Sequence, residues 1–135
     1  MIKGLSELER RILANLNEAG EENASALLNS TLRCSGEEME VTRYLAALRG
    51  LYSHGLIEFA TSRDGSTLKW NVLARDHETA KIIDELYAQM TWESGSQIWR
   101  WNCDKPRLVI LLTEIGIEES HDILDIFGWR MTEPM

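Results

Sequence analysis

The chain has 135 residues, 44% of them hydrophobic and 27% charged, with 14 Lys and Arg against 22 Asp and Glu for a net charge of -8. This is a globular composition, too apolar for a disordered chain and too short for a large catalytic barrel. The sign of the charge works against non-specific DNA binding, which needs several cations near phosphates. The charge is also uneven: 9 basic and 10 acidic residues through Arg75, then 5 and 12 from Asp76 onward.

A first helix is predicted over residues 6–17. Ser6 is placed to cap it, and Glu9 three residues on completes a capping box. Leu5, Leu8, Ile12, Leu13 and Leu16 recur at helical spacing, and Gly20 is a stop. Residues 21–23 read as a polar turn. A short second helix follows over 24–32, with Leu27, Leu28 and Leu32 as its contacts, and residues 34–36 break it. Ser35 is placed to cap a third helix, with Glu38 as its reciprocal carboxylate. That helix runs to about residue 53, where His54-Gly55 ends it. Its apolar face carries Val41, Tyr44, Leu45, Leu48, Leu51 and Tyr52; the opposite face carries Met39, Thr42, Arg43, Ala46, Gly50 and Ser53.

Residues 56–61 and 67–73 read as a hairpin around a two-residue Asp64-Gly65 turn. Pairing outward from that turn sets Phe59 opposite Trp70, Ile57 opposite Val72 and Thr61 opposite Leu68, all on one face. A fourth helix is predicted over 76–91, with Ile82, Ile83, Leu86, Tyr87 and Met90 as its apolar band. Residues 93–96 form a break. Trp92, Trp99 and Trp101 crowd the next stretch, where 98–102 fits a strand. Residues 107–113 fit either a strand or a helix started by Asp104 and Pro106. A final helix over 118–127 stops at Gly128.

Chemistry-bearing patterns are sparse. Cys34 and Cys103 have no CxxC spacing, and His54, His77 and His121 are scattered, so no zinc site is expected. No dinucleotide fingerprint, phosphate loop, HExxH or GxSxG is present. The pairs Glu118-Glu119 and Asp122-Asp125 read as solvated helix face. No enzyme activity, metal or cofactor is expected. The N-terminus lacks the apolar core of a signal peptide, and the longest apolar run, 108–112, is far short of a membrane span. The expectation is a cytoplasmic protein with no membrane partner. The tryptophan group reads as core or dimer packing; base stacking is the alternative, opposed by Glu93 and Asp104 and partly offset by Arg100, Lys105 and Arg107.

The run Tyr44-Leu45-Ala46-Ala47-Leu48-Arg49-Gly50-Leu51-Tyr52-Ser53-His54-Gly55-Leu56-Ile57-Glu58 carries a family likeness. Its Leu51, three spacers and Gly55-Leu56-Ile57, with the order helix, helix, helix, hairpin, resemble a winged helix-turn-helix DNA-binding domain over residues 5–73. The resemblance implies a third helix in the major groove and a wing on phosphate or the minor groove. The DNA-binding positions it implies are Thr42, Arg43 and Arg49 on the helix and Arg63 and Lys69 on the wing. Met39, Ala46 and Gly50 offer no base-reading hydrogen bonds, and Glu37, Glu38 and Glu40 crowd the start of the helix.

The expected fold is mostly alpha with a small beta hairpin: a winged helix-turn-helix domain over 1–75 and an acidic, tryptophan-rich, alpha-rich extension over 76–135. The expected function is sequence-specific double-stranded DNA binding by a small transcriptional regulator, a homodimer through Ile82, Ile83, Leu86, Met90, Trp92 and Trp99. The alternative is an acidic winged-helix interaction module, or partial nucleic-acid mimic, that binds and modulates a protein partner.

Overall fold

A computed structural model of the chain describes residues 2–62, 70–73, 77–102 and 107–135. In chain order the elements are α1 (Glu7–Ala19), β1 (Glu21–Asn23), α2 (Ala24–Thr31), α3 (Glu38–Ser53), β2 (Ile57–Ser62), β3 (Trp70–Val72), α4 (His77–Glu85), β4 (Met90–Glu93), β5 (Ile98–Trp101), β6 (Leu108–Leu112) and α5 (Glu114–Phe127). Single 3-10 turns, Leu86–Gln89 and Trp129–Thr132, follow α4 and α5. The described residues are thus mostly helical, with small antiparallel sheets.

α1 forms on local signals alone. Ser6 Oγ accepts from the Glu9 N–H at 3.1 Å, and the Glu9 carboxylate accepts from the Ser6 N–H at 3.0 Å. Gly20, at φ 83°, closes the helix by donating its N–H to the Leu16 carbonyl. Leu8, Ile12, Leu13 and Leu16 are buried, each stabilising the fold by roughly 1.5–3 kcal/mol.

Residues 21–23, expected as a turn, are a strand. β1 pairs with β6, Glu22 opposite Ile110. Backbone pairing with a neighbouring strand satisfies these N–H and C=O groups whatever the polarity of their side chains. Asn23 then caps α2, its Oδ1 accepting from the Ala26 N–H at 2.9 Å. α3 starts later than expected, and Ser35 is not its cap. Gly36, at φ 93°, turns the chain, the cap residue Glu37 makes no side-chain bond, and the Ser35 N–H and Oγ both donate to Glu40. Tyr44 anchors the inner face of α3; it is fully buried and donates its hydroxyl to the Ala24 carbonyl at 2.7 Å.

The larger sheet has the order β1-β6-β2-β3. β6, the segment that fitted strand or helix, lies between β1 and β2 and sets Ile110 opposite Phe59 and Leu112 opposite Ile57. The expected hairpin register differs by three residues: Ala60, not Ile57, faces Val72, and Ser62, not Phe59, faces Trp70. Phe59 and Ile57 find cross-strand partners in β6 as well, on the other edge of β2. An odd shift moves a strand's side chains to the opposite face, and Val72 is 57% exposed. The Asp64-Gly65 turn and Leu68 lie outside the described residues.

The expected fourth helix ends early, at Glu85. Residues 90–93 instead pair with β5, Trp92 opposite Trp99 and Met90 opposite Trp101. α5 starts a turn earlier than expected, capped by Thr113, whose Oγ1 accepts from the Gly116 N–H at 3.1 Å and donates to the Gly55 carbonyl at 2.6 Å. α5 lies on α1, joined by Asn17 to Ser120 at 2.8 Å, with Arg10 stacked on the Phe127 ring at 4.9 Å. Residues on both sides of position 75 therefore share one sheet and one core: Ile83, Leu86, Trp99, Ile110, Ile123 and Met131 belong to the same buried cluster as Leu13, Leu28 and Leu48.

Candidate functional site

The outer face of α3 is the surface the sequence singles out. Met39, Thr42, Arg43, Ala46 and Arg49 are all exposed there. Thr42 Oγ1 donates to the Glu38 carbonyl, one turn back, at 3.2 Å. Arg43 has no ion-pair partner among the described residues. Arg49 points across to α4, where its Nε and Nη2 donate to Asp84 Oδ1 at 2.9 and 2.6 Å. Arg63 and Lys69, placed on a wing by the resemblance, lie outside the described residues. With Glu37 and Glu38 the described surface holds three acids, Asp84 included, against two arginines.

The β4–β5 hairpin stands beside the start of this helix. Asn29 of α2 holds it by a two-way bond to the Trp99 backbone: its Nδ2 donates to the Trp99 carbonyl at 2.8 Å and its Oδ1 accepts the Trp99 N–H at 2.9 Å. The Trp99 indole donates to Glu40 Oε2 at 3.1 Å, and the same oxygen accepts the Gly36 N–H at 3.2 Å. Trp92 meets Trp99 edge-on at 5.6 Å and packs so close to Gly36 that any side chain there would overlap its ring. Burial pulls the Glu40 carboxyl upward, but the bonds from Ser35, Trp99 and Gly36 outweigh it and hold the group below its ordinary value. Nearby Cys34 is pushed up to about 11, by burial and then by the Glu40 charge. Its thiol is protonated at neutral pH, which suits packing rather than nucleophilic attack.

The residues placed by sequence at a dimer contact are mostly internal. Ile83, Leu86, Met90 and Trp99 are buried within the single chain, and Ile82 and Trp92 pack half-buried against the same core. A second copy is not needed to cover them, because α2, α3 and the hairpin already do. Among the described residues, no group of three or more His, Cys, Asp or Glu is arranged to hold a metal ion. No helix of the described residues is long and apolar enough to cross a membrane.

No family model, no curated protein and no solved structure matches this chain. The surface must be read from its own residues. Asn29, Glu40 and Asp84 escaped the sequence because their partners are 70, 59 and 35 positions away. A lone Asn within a helix, or a Glu among three, carries no local mark of such a bond.

Proposed function

We propose that this chain is an acidic winged-helix interaction module that binds and modulates a protein partner. The order α1, β1, α2, α3, β2, β3 supports the winged-helix part of that reading. The observation that carries the rest is the state of the α3 surface. A groove-reading helix uses residues near its N-terminal end for base contacts and needs cations free for phosphate. Here the turn before that end is packed under the Trp92–Trp99 hairpin, and Arg49 is engaged by Asp84. An exposed ion pair such as Arg49–Asp84 is worth only about 0–1 kcal/mol, so phosphate can compete for Arg49. Yet a pair of arginines supports only a shallow salt dependence, about 0.9 log units of affinity per log unit of salt for each phosphate met.

Sequence-specific binding of double-stranded DNA is the second reading. It is favoured by Thr42 and Arg43, adjacent and exposed on α3, with Arg49, Arg63 and Lys69 as phosphate contacts. Electrophoretic mobility with pooled genomic duplex fragments at low salt separates the readings. The interaction reading expects no shift at micromolar protein. A shift that Arg43→Ala abolishes for specific fragments, and that Lys69→Ala weakens for all of them, reverses the order of the two.

A further inference from the structure

Among the described residues seven large apolar side chains are strongly exposed, and four of them, Ile115, Ile117, Ile126 and Trp129, lie on α5 or in the turn behind it. At 100° per residue, Ile115, Asp122 and Ile126 fall within about 40° of one another on the helix surface. Ile115 is 58% exposed, Ile126 60% and Trp129 65%. Eleven residues of helix separate the two isoleucines by about 16 Å. The surface beside them is mostly acidic: Glu114, Glu118, Asp122 and Asp125 are exposed, with His121 among them, and α5 contains no Lys or Arg. α5 is firmly seated beneath, by Gly116, Glu119, Ser120 and Ile123, so this edge is a rigid platform rather than a frayed end.

We propose that the outer edge of α5, from Ile115 through Ile126, docks a cationic amphipathic helix of a partner protein. The proposal rests on the interaction reading above and names its partner's chemistry. An amphipathic helix carries apolar anchors at helical spacing along one face, and Ile115 and Ile126 offer it two contacts about three turns apart. The acids between and beside the isoleucines select Lys or Arg on the incoming helix, where complementary charge sets orientation and speeds encounter. A second copy fits poorly, because it would bring Glu118, Asp122 and Asp125 against the same residues. Duplex DNA and anionic lipid are repelled for the same reason.

The test uses two labelled synthetic helices, one of leucine, alanine and lysine, the other with glutamate at every lysine. Fluorescence anisotropy with the full chain is expected to show binding of the lysine helix and none of the glutamate helix. The double variant Ile115→Ser, Ile126→Ser should bind the lysine helix at least about tenfold more weakly, as loss of an interface anchor does. Its melting temperature should match the unaltered chain, since both side chains are exposed, and Met39→Ser on α3 should bind normally. Binding that ignores these substitutions is charge capture alone and overturns the proposal, as does failure of the lysine helix to bind. A homodimer in sedimentation that the double variant dissolves assigns the edge to a second copy and overturns it equally. Absence of peptide binding with duplex DNA also unbound defeats this proposal alone; DNA bound through Arg43 defeats the reading on which it rests.

Discussion

Gly116 shows how tightly one residue can be specified. A methyl group there would overlap the backbone carbonyl of Leu56, which cannot move without disturbing the step from α3 into β2. Gly116→Ala is expected to destabilise the protein by at least about 2 kcal/mol in urea unfolding, the scale of overpacking against an immobile neighbour. Gly95, in the β4–β5 loop, has open space around it, and Gly95→Ala should leave the midpoint nearly unchanged. Glu40 is a different kind of constraint. Its folded-state carboxyl titrates below the ordinary 4.5, so the unfolded chain takes up the proton first. The stability it supplies is complete above that ordinary value and is lost as pH falls through the lower, folded value. Thermal melts of the unaltered chain and Glu40→Gln should therefore differ near neutral pH and converge in acid. A gap that stays constant into acid would remove the charge from the explanation.

Among the elements, the β4–β5 hairpin depends on side chains outside itself. Two strands of four residues are marginal alone, and Asn29 supplies a strand-like pair of bonds to Trp99. Asn29→Ala is expected to raise hydrogen exchange across residues 90–101 while α1 stays protected. Equal exchange in both proteins would mean that tryptophan packing alone secures the hairpin. The contrast with α1 explains what the sequence could disclose. Ser6, Glu9 and Gly20 act within their own helix, so its limits were legible from spacing. The helix expected through residue 91 broke at Glu85 because Met90 and Trp92 pair with Trp101 and Trp99 across a loop. The place of β6 in the sheet was hidden for a similar cause: it arrives from about 50 residues downstream, with Ile110 against Phe59. Val109 and Ile110 fit strand or helix equally until β1 and β2 are present to pair with them.

At the scale of the whole molecule, the acidic second half is built into the first. β6 completes the sheet, α5 covers α1, and the last residue returns to α2, where the Met135 N–H donates to the Thr31 carbonyl at 2.9 Å and the Arg33 N–H donates to the Met135 carbonyl at 3.1 Å. Leu86 and Trp99, apolar enough to suggest a dimer seam, are used up in this joining. Among the described residues, the surfaces proposed for a partner are the outer face of α3 and the acidic, isoleucine-bearing edge of α5. The central proposal is that neither surface takes up a polyanion. An amide chemical-shift titration of the full chain with duplex DNA and, separately, with the lysine helix tests it most directly. The claim predicts that the lysine helix shifts amides along α5 and that DNA leaves Thr42 and Arg43 unmoved. DNA-induced shifts centred on Thr42 and Arg43, with α5 silent toward the lysine helix, would contradict it.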